Sequence, residues 1–347
     1  IPEELTLEDF QGQLKSWRES TTTSPSGRHV GHYKALLKSI HIPEEEKHHN
    51  ITTFVQKQEA ILKLKLSIMN YCIRNINVLQ RWKTVVNVML FKEPGNYKIH
   101  RLRVIHIYKA DFNLILAVIW SKLLHFADRH NTINNGQYGG RPGCEAQSLT
   151  LLEELKSDAS YLTRRSLFNF DNDASSCYDQ IIVSLASLIN RKYGMHQRVV
   201  SLHAATLREA KFRLKTAAGI SDISYSHCPQ FPIHGTGQGS GNSPSIWLFI
   251  SSTLFDIHAS KSFGATFISP DGNTKVNLSM VGFVDDSTGS CNHFRPNTQD
   301  PLPQLFDQME HDAQLWNNLL YCSGGKLELS KCSFHILHFD FESNGTP

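Results

Sequence analysis

The sequence predicts a mixed α+β fold. Two short alternating apolar segments end in carboxylates, Leu167-Phe168-Asn169-Phe170-Asp171-Asn172-Asp173 and Leu278-Ser279-Met280-Val281-Gly282-Phe283-Val284-Asp285-Asp286. Around them lie long stretches whose apolar residues recur at three- and four-residue steps, the period of amphipathic helices. With 347 residues, 40% of them hydrophobic, the chain is long enough for about two domain-sized units with a sizeable core. It contains no repeat.

In chain order, an early loop at Thr21–Gly31 precedes a helix over 52–70 with Leu62, Leu66 and Met69 on one face. Phe112, Ile115, Ile119, Leu123 and Phe126 form a second stripe, and a helix over 145–156 follows the loop Tyr138-Gly139-Gly140-Arg141-Pro142-Gly143. On the first acidic strand, Asp171 and Asp173 lie two apart and share a face, so spacing alone leaves both eligible as ligands. Asp179 is expected to open a helix striped by Ile182, Leu185 and Ile189, where a first-turn carboxylate complements the helix dipole. Segment 211–234 reads as a hairpin.

The run Gly235–Pro244 carries four glycines, which let a backbone approach a ligand closely. Ser243 and Pro244 then read as N-cap and first residue of a helix striped by Ile246, Phe249 or Ile250, Thr253 and Ile257. The second acidic strand reaches a tight turn at Asp285-Asp286 before Ser287-Thr288-Gly289. A last helix carries Phe306, Met309, Ala313, Trp316 and Leu320.

Net charge of +3 and a pI near 8.4 are only mildly basic, so bulk charge does not announce nucleic acid. Local patches at Arg101-Leu102-Arg103 and Arg208–Lys215 suit phosphates. Seven scattered cysteines argue against a disulfide framework and for a reducing, intracellular compartment, nucleus or cytoplasm. Cys332, His335 and His338 have poor spacing for zinc, and alternation sends some of them to opposite faces. No uninterrupted apolar run approaches the roughly 18 residues of a membrane span, and the start lacks a signal-peptide pattern, so a soluble protein without a membrane partner is expected. The chain opens at Ile1 without Met and closes on the polar tail Glu342–Pro347, which suggests a fragment of a longer product.

Two strands ending in acid suit phosphoryl transfer. Mg²⁺ prefers hard oxygen ligands, and two ions roughly 3.5–4 Å apart stabilise the attacking and leaving oxygens of an in-line displacement. By itself Asp285-Asp286 equally fits a solvated hairpin turn.

Four segments supply the context: Asp173-Ala174-Ser175-Ser176-Cys177-Tyr178-Asp179, Gly235–Pro244 with Gln238-Gly239 and Ser243-Pro244, Phe283-Val284-Asp285-Asp286, and Gly325-Lys326-Leu327-Glu328-Leu329-Ser330-Lys331-Cys332. Their order and spacing resemble the palm of reverse transcriptases. Tyr138–Gly143 is similar to the Tyr-Gly-Phe-Arg-Pro-Gly segment of non-LTR retrotransposons and group II introns, with Gly140 replacing the aromatic. Lys92-Glu93-Pro94-Gly95 and Arg101–Ile105 resemble fingers motifs, with departures at Leu102 and Val104.

The resemblance implies a right-hand polymerase: fingers over 1–165, palm over 166–347 with an antiparallel sheet backed by helices, and a hairpin insert at 195–235 returning to the fingers. A thumb is missing after Phe339, and fingers and palm leave no room for endonuclease, RNase H or integrase segments. Asp173, Asp285 and Asp286 are implied as catalytic ligands of two Mg²⁺, with Mn²⁺ an alternative. The family frame selects Asp173 over Asp171, because it puts Tyr178 at the position that stacks under the incoming sugar and excludes a 2′-hydroxyl. Gln238 and Gly239 would contact nucleotide and template. Lys92, Arg101 and Arg103 would bind the triphosphate, and Lys331 would assist the leaving pyrophosphate. Partners are then an RNA template, a DNA or RNA primer and dNTPs. Two other readings stay open: a catalytically decayed nucleic-acid-binding protein, and an RNA-dependent RNA polymerase, although those usually carry Gly-Asp-Asp and a small residue at the sugar gate.

Overall fold

The computed structural model describes residues 4–18, 25–27, 29–38, 47–96, 98–230, 233–292 and 302–339. The polar tail and residues 21–24 of the early loop lie outside them. Helices and sheets are both present, as an α+β chain requires, and the backbone divides into two compact units, residues 1–126 with 190–243 and residues 127–189 with 244–347.

In the first unit, α1 (Leu7–Ser16) starts at a capping box in which Thr6 and Asp9 satisfy each other's backbone N–H. After α2 (Val30–Lys34), the long α3 (Lys47–Asn75) buries Leu62, Met69, Cys72 and Ile73. Strands β1 (Thr84–Phe91) and β2 (Leu102–Ile107) form an antiparallel pair. α4 (Ala110–Arg129) buries Phe112, Ile115, Ile119 and Leu123, whereas Phe126, expected in that stripe, is exposed. By length and composition α4 is also long and apolar enough to cross a membrane, a property hidden from a search for uninterrupted apolar runs. It is the one such helix among the described residues, and 67% of its apolar window is buried inside the protein. Beyond α8 (Gln197–Arg208), the expected hairpin is β4 (Lys211–Thr216) and β5 (Gly219–Ser226). The four strands order as β2-β1-β4-β5, with β1 and β4 parallel.

The second unit holds α5 (Ala146–Thr163), β3 (Leu167–Asp173), α6 (Cys177–Gln180), most of α7 (Val183–Lys192) and nearly all of α9 (Ser243–Lys261). Then come β6 (Ala265–Ile268), β7 (Lys275–Leu278), β8 (Met280–Phe283), β9 (Asp286–Asn292), α10 (Leu302–Cys322) and β10 (Ser333–Leu337). A four-stranded sheet orders as β10-β3-β9-β8, antiparallel at every pairing, while β6 and β7 form a separate ribbon. Residues 127–165 group here rather than with those preceding them for two reasons. Gly282 N–H donates to Gly136 O (2.8 Å) and Tyr138 N–H to Gly282 O (2.9 Å). Lys156 of α5 also reaches Ser290 of β9 (2.6 Å).

One face of the sheet is apolar. Phe168 meets Phe306 of α10 edge-on (4.9 Å between centroids), and the Phe170 ring lies over Gly289, where an added Cβ would sit 1.9 Å from Cζ. Alternation along β3 therefore sends Phe168 and Phe170 to the helices and Asn169, Asp171 and Asp173 to the other face.

Several helix details differ from the sequence expectation. Asp179 lies in the short α6, because the chain breaks at Ile181-Ile182, where Ile182 N–H donates to Ser323 O (3.2 Å), before α7 begins. α7 buries Val183, Ala186 and Ile189. α9 is buried on all sides, from Ile246 through Phe255, rather than along one stripe; Ser243 is its first residue, and its hydroxyl donates to Gly237 O (2.9 Å). α10 buries Leu305 and Asp312 in place of Phe306 and Ala313, because the Asp312 carboxylate accepts the backbone N–H groups of Phe263 and Gly264 (2.9 Å each).

Candidate active site

The acidic tips of two strand elements meet. β8 and β9 form a hairpin closed by Val284-Asp285, shorter than the continuous strand from Leu278 that alternation suggests, because Ser279 separates β7 from β8. Across β3 and β9, Asp173 is the register partner of Asp286, Asp171 of Thr288, and Asn169 of Ser290. The backbone N–H of Ala174 donates to Asp285 O (3.4 Å), which joins the hairpin tip to the end of β3.

The segment after α10 closes on the same tip. Ser175 N–H donates to Lys326 O (2.9 Å) and Glu328 N–H to Asp173 O (3.0 Å), which carries Lys331 over the site. Its ammonium lies 2.6 Å from Asp173 Oδ2 and is well exposed. Hydrogen bonding and charge from Asp173 push the Lys331 pKa up. Asp286 is also raised, first by partial burial, then by the charges of Asp285 and Asp173, with Lys331 opposing. The carboxylates thus repel one another, which is the electrostatic condition for recruiting a cation.

Asp171 and Asp173 differ in what already occupies them. Asp171 Oδ1 accepts from Thr288 Oγ1 (2.7 Å), and Oδ2 pairs with His335 Nε2 (2.8 Å). The same polar face continues away from the tip through Ser290, whose hydroxyl donates to Asn169 Oδ1 (2.8 Å) and accepts from the buried Lys156. Burial pulls the Lys156 pKa down, while its ion-pair partner Glu153 opposes.

Tyr178 sits in α6, half-buried, just past Ser176, whose φ is +51°. Its phenol pKa is pushed up by burial, then by Cys177 and Asp285, so the hydroxyl stays protonated beside the carboxylates. Cys177 is buried and its thiol pKa is raised, first by burial and then by the Asp285 charge, which disfavours the thiolate. None of the chain's seven cysteines is in a disulfide.

Asp173, Tyr178, Asp285, Asp286 and Lys331 all fall in the second unit. Lys92, Arg101, Arg103, Gln238 and Gly239 fall in the first. Lys92 and Arg101 lie in the connection between β1 and β2, and Arg103 pairs in register with Leu90 near its end. All three are exposed, and none is in an ion pair among the described residues. Gln238 O accepts the N–H of His106 (2.7 Å). Gly239 has φ +109° and runs so close to β2 that a Cβ would meet His106 O at 2.6 Å. That glycine is thus required by packing within its own unit.

Carboxylate oxygens are what Mg²⁺ takes, commonly one or two per ion beside waters and phosphates; Asp285 and Asp286 offer them, while Asp173 is paired with Lys331. Among the described residues no group of three or more His, Cys, Asp or Glu side chains is placed to hold a metal ion together. Sequence reasoning overlooked two residues here. Lys156 resembles any helical lysine until its burial is seen, and Trp247, three positions past Pro244, reads as another core aromatic.

No protein-family model matches the chain, and no curated protein matches its sequence. Among solved structures, telomerase from Candida albicans, in complex with a TWJ fragment of telomeric RNA, is similar over 74% of this chain and 42% of that chain, with a TM-score of 0.48 and 12% identity. The chain therefore spans less than half of that structure's length. At that score the likeness carries no inference about function.

Proposed function

We propose that the chain is a reverse-transcriptase-like nucleotidyltransferase of a retroelement, adding deoxynucleotides to a primer on an RNA template. The observation that carries this reading is the pairing of Asp173 with Asp286 where β3 meets the β8–β9 hairpin, with Lys331 on Asp173. Three of the four ordered motifs, those at 173–179, 283–286 and 325–332, meet there within one unit, and a merely solvated turn would have no need of that meeting.

Asp173, Asp285 and Asp286 are the residues that would hold Mg²⁺, two ions or Mn²⁺ in their place; bound there, the metal neutralises charge on the attacking and leaving oxygens. Asp171 is bonded to Thr288 and His335, and Asp173 to Lys331; the family resemblance assigns Asp173 as the ligand. Lys331, its pKa pushed up by Asp173 and so charged at neutral pH, carries the proton it would give to the departing pyrophosphate. Tyr178, neutral and within reach of the Asp285 charge, would present its ring to the sugar and exclude a 2′-hydroxyl. In the first unit, Arg103, Lys92 and Arg101 are assigned to phosphates, and Gln238 and Gly239 to nucleotide and template.

Primer extension tests this. The chain is incubated with an RNA or a DNA template, dNTPs or rNTPs, and Mg²⁺, Mn²⁺ or chelator. Metal-dependent dNTP addition on RNA, with ribonucleotide incorporation rising in Tyr178→Ala, is the expected result. Template binding without any extension identifies a decayed binding protein, and preference for rNTPs an RNA-dependent RNA polymerase.

A further inference from the structure

The tip that presents Asp285 and Asp286 is strained. Val284 has φ +62°, a left-handed conformation that a β-branched residue rarely adopts. Such strain persists only where the surroundings over-determine it. Two elements do so here. The Trp247 indole N–H, on the buried helix α9, donates to Val284 O at 2.5 Å. From another direction Gly139 lies against the preceding peptide, between Phe283 and Val284, so close that a Cβ there would be 2.0 Å from Val284 N. The next carbonyl, Asp285 O, is held by Ala174 N–H. Successive carbonyls on either side of the Asp285 Cα are therefore held by different elements, and that sets the direction in which the Asp285 side chain leaves the backbone.

We infer that Trp247 is a positioning residue for Asp285: its indole N–H holds the Val284 peptide in the left-handed turn, so the carboxylate is aimed before any cation arrives. A tryptophan N–H is a donor only, and donation is not obligatory for a buried indole in this chain. Trp82 and Trp316 are both buried, and neither Nε1 has a hydrogen-bond partner. Trp247 instead directs its donor at the one strained non-glycine residue of the acidic hairpin. Without that bond Val284 is free to relax toward negative φ, which rotates the peptide that carries Asp285.

The inference rests on the reading of Asp285 as a metal ligand, and the experiment separates the two. Mn²⁺ binding is followed by the loss of the free-ion electron paramagnetic resonance signal. The proteins compared are wild type, Asp285→Asn, Trp247→Phe, and a variant with 3-benzothienylalanine at 247, which keeps the bicyclic shape without the N–H. Melting temperatures are measured in parallel. The N–H-deficient variants are expected to bind Mn²⁺ about tenfold more weakly, the effect of losing one hydrogen bond at a strained position, with Tm within about 3 °C of wild type. Adding Val284→Asn, which tolerates the left-handed region, is expected to restore most of that affinity. Should Trp247→Phe fail to fold, the isostere decides. Unchanged affinity in the isostere, with wild-type binding that depends on Asp285, overturns the inference alone. Equal binding by wild type and Asp285→Asn overturns the metal-site reading and the inference with it.

Discussion

Asp286 ionises against its surroundings, and the sign of that effect is testable. Folded Asp286 holds its proton more tightly than the unfolded chain does, because partial burial and the charges of Asp285 and Asp173 raise its pKa above the ordinary 3.8. Stability therefore falls as pH rises from that value through the raised one, and above both the ionised carboxylate opposes folding. Asp286→Asn should raise Tm at pH 7 by about 1–2 °C, the small effect expected of a largely exposed charge, and the gain should vanish at pH 3. Mg²⁺ should raise the Tm of wild type at pH 7 and leave Asp285→Asn unmoved, measured by differential scanning fluorimetry. Lys331→Met should leave Tm within about 1 °C, since exposed ion pairs contribute little, yet slow nucleotide addition. An unchanged rate would remove Lys331 from the chemistry.

At the scale of elements, the pairing of β3 with β9 depends on a glycine. Gly289→Ala would drive a Cβ into the Phe170 ring, which already lies over that position. The expected loss is about 2–3 kcal/mol by urea denaturation, as for other overpacked cores, and Phe170→Leu in the same chain should recover part of it. If Gly289→Ala were neutral, the face assigned to Phe170 would be wrong. The acidic strands, a hairpin within 211–234 and the long helices were legible in the sequence, because period-2 and period-3.6 patterns report which residues turn inward, although the hairpin's second strand ends at Ser226. The break between α6 and α7 was not, because it is made by a backbone bond from Ile182 to Ser323, far away in the chain. Asp312 sat in the buried stripe of α10 unnoticed for the same reason: its backbone partners, Phe263 and Gly264, lie some fifty residues earlier. Trp247 was visible only as an apolar residue, since the strain it restrains is a backbone angle that composition does not encode.

For the whole molecule, each unit is assembled from separated stretches of chain, which makes fragment boundaries decisive. Residues 127–347 contain the backbone from Gly136 to Tyr138 and the Lys156 contact that support β8 and β9; residues 166–347 lack both. The longer fragment should unfold cooperatively with a near-ultraviolet circular dichroism signal, and the shorter should not. Equal behaviour of the two would mean that the segment preceding β3 contributes little.

In the proposed function Asp173, Asp285 and Asp286, rather than Asp171, form the catalytic centre. That assignment is tested most directly by single-turnover primer extension on an RNA template, with wild type, Asp171→Asn, Asp173→Asn and Asp285→Asn titrated with Mg²⁺. Asp173→Asn and Asp285→Asn should each lose at least about a hundredfold in rate, the scale of removing a group that stabilises the transition state. Asp171→Asn should stay within about tenfold of wild type. A wild-type rate in Asp173→Asn, or a collapse confined to Asp171→Asn, would contradict it.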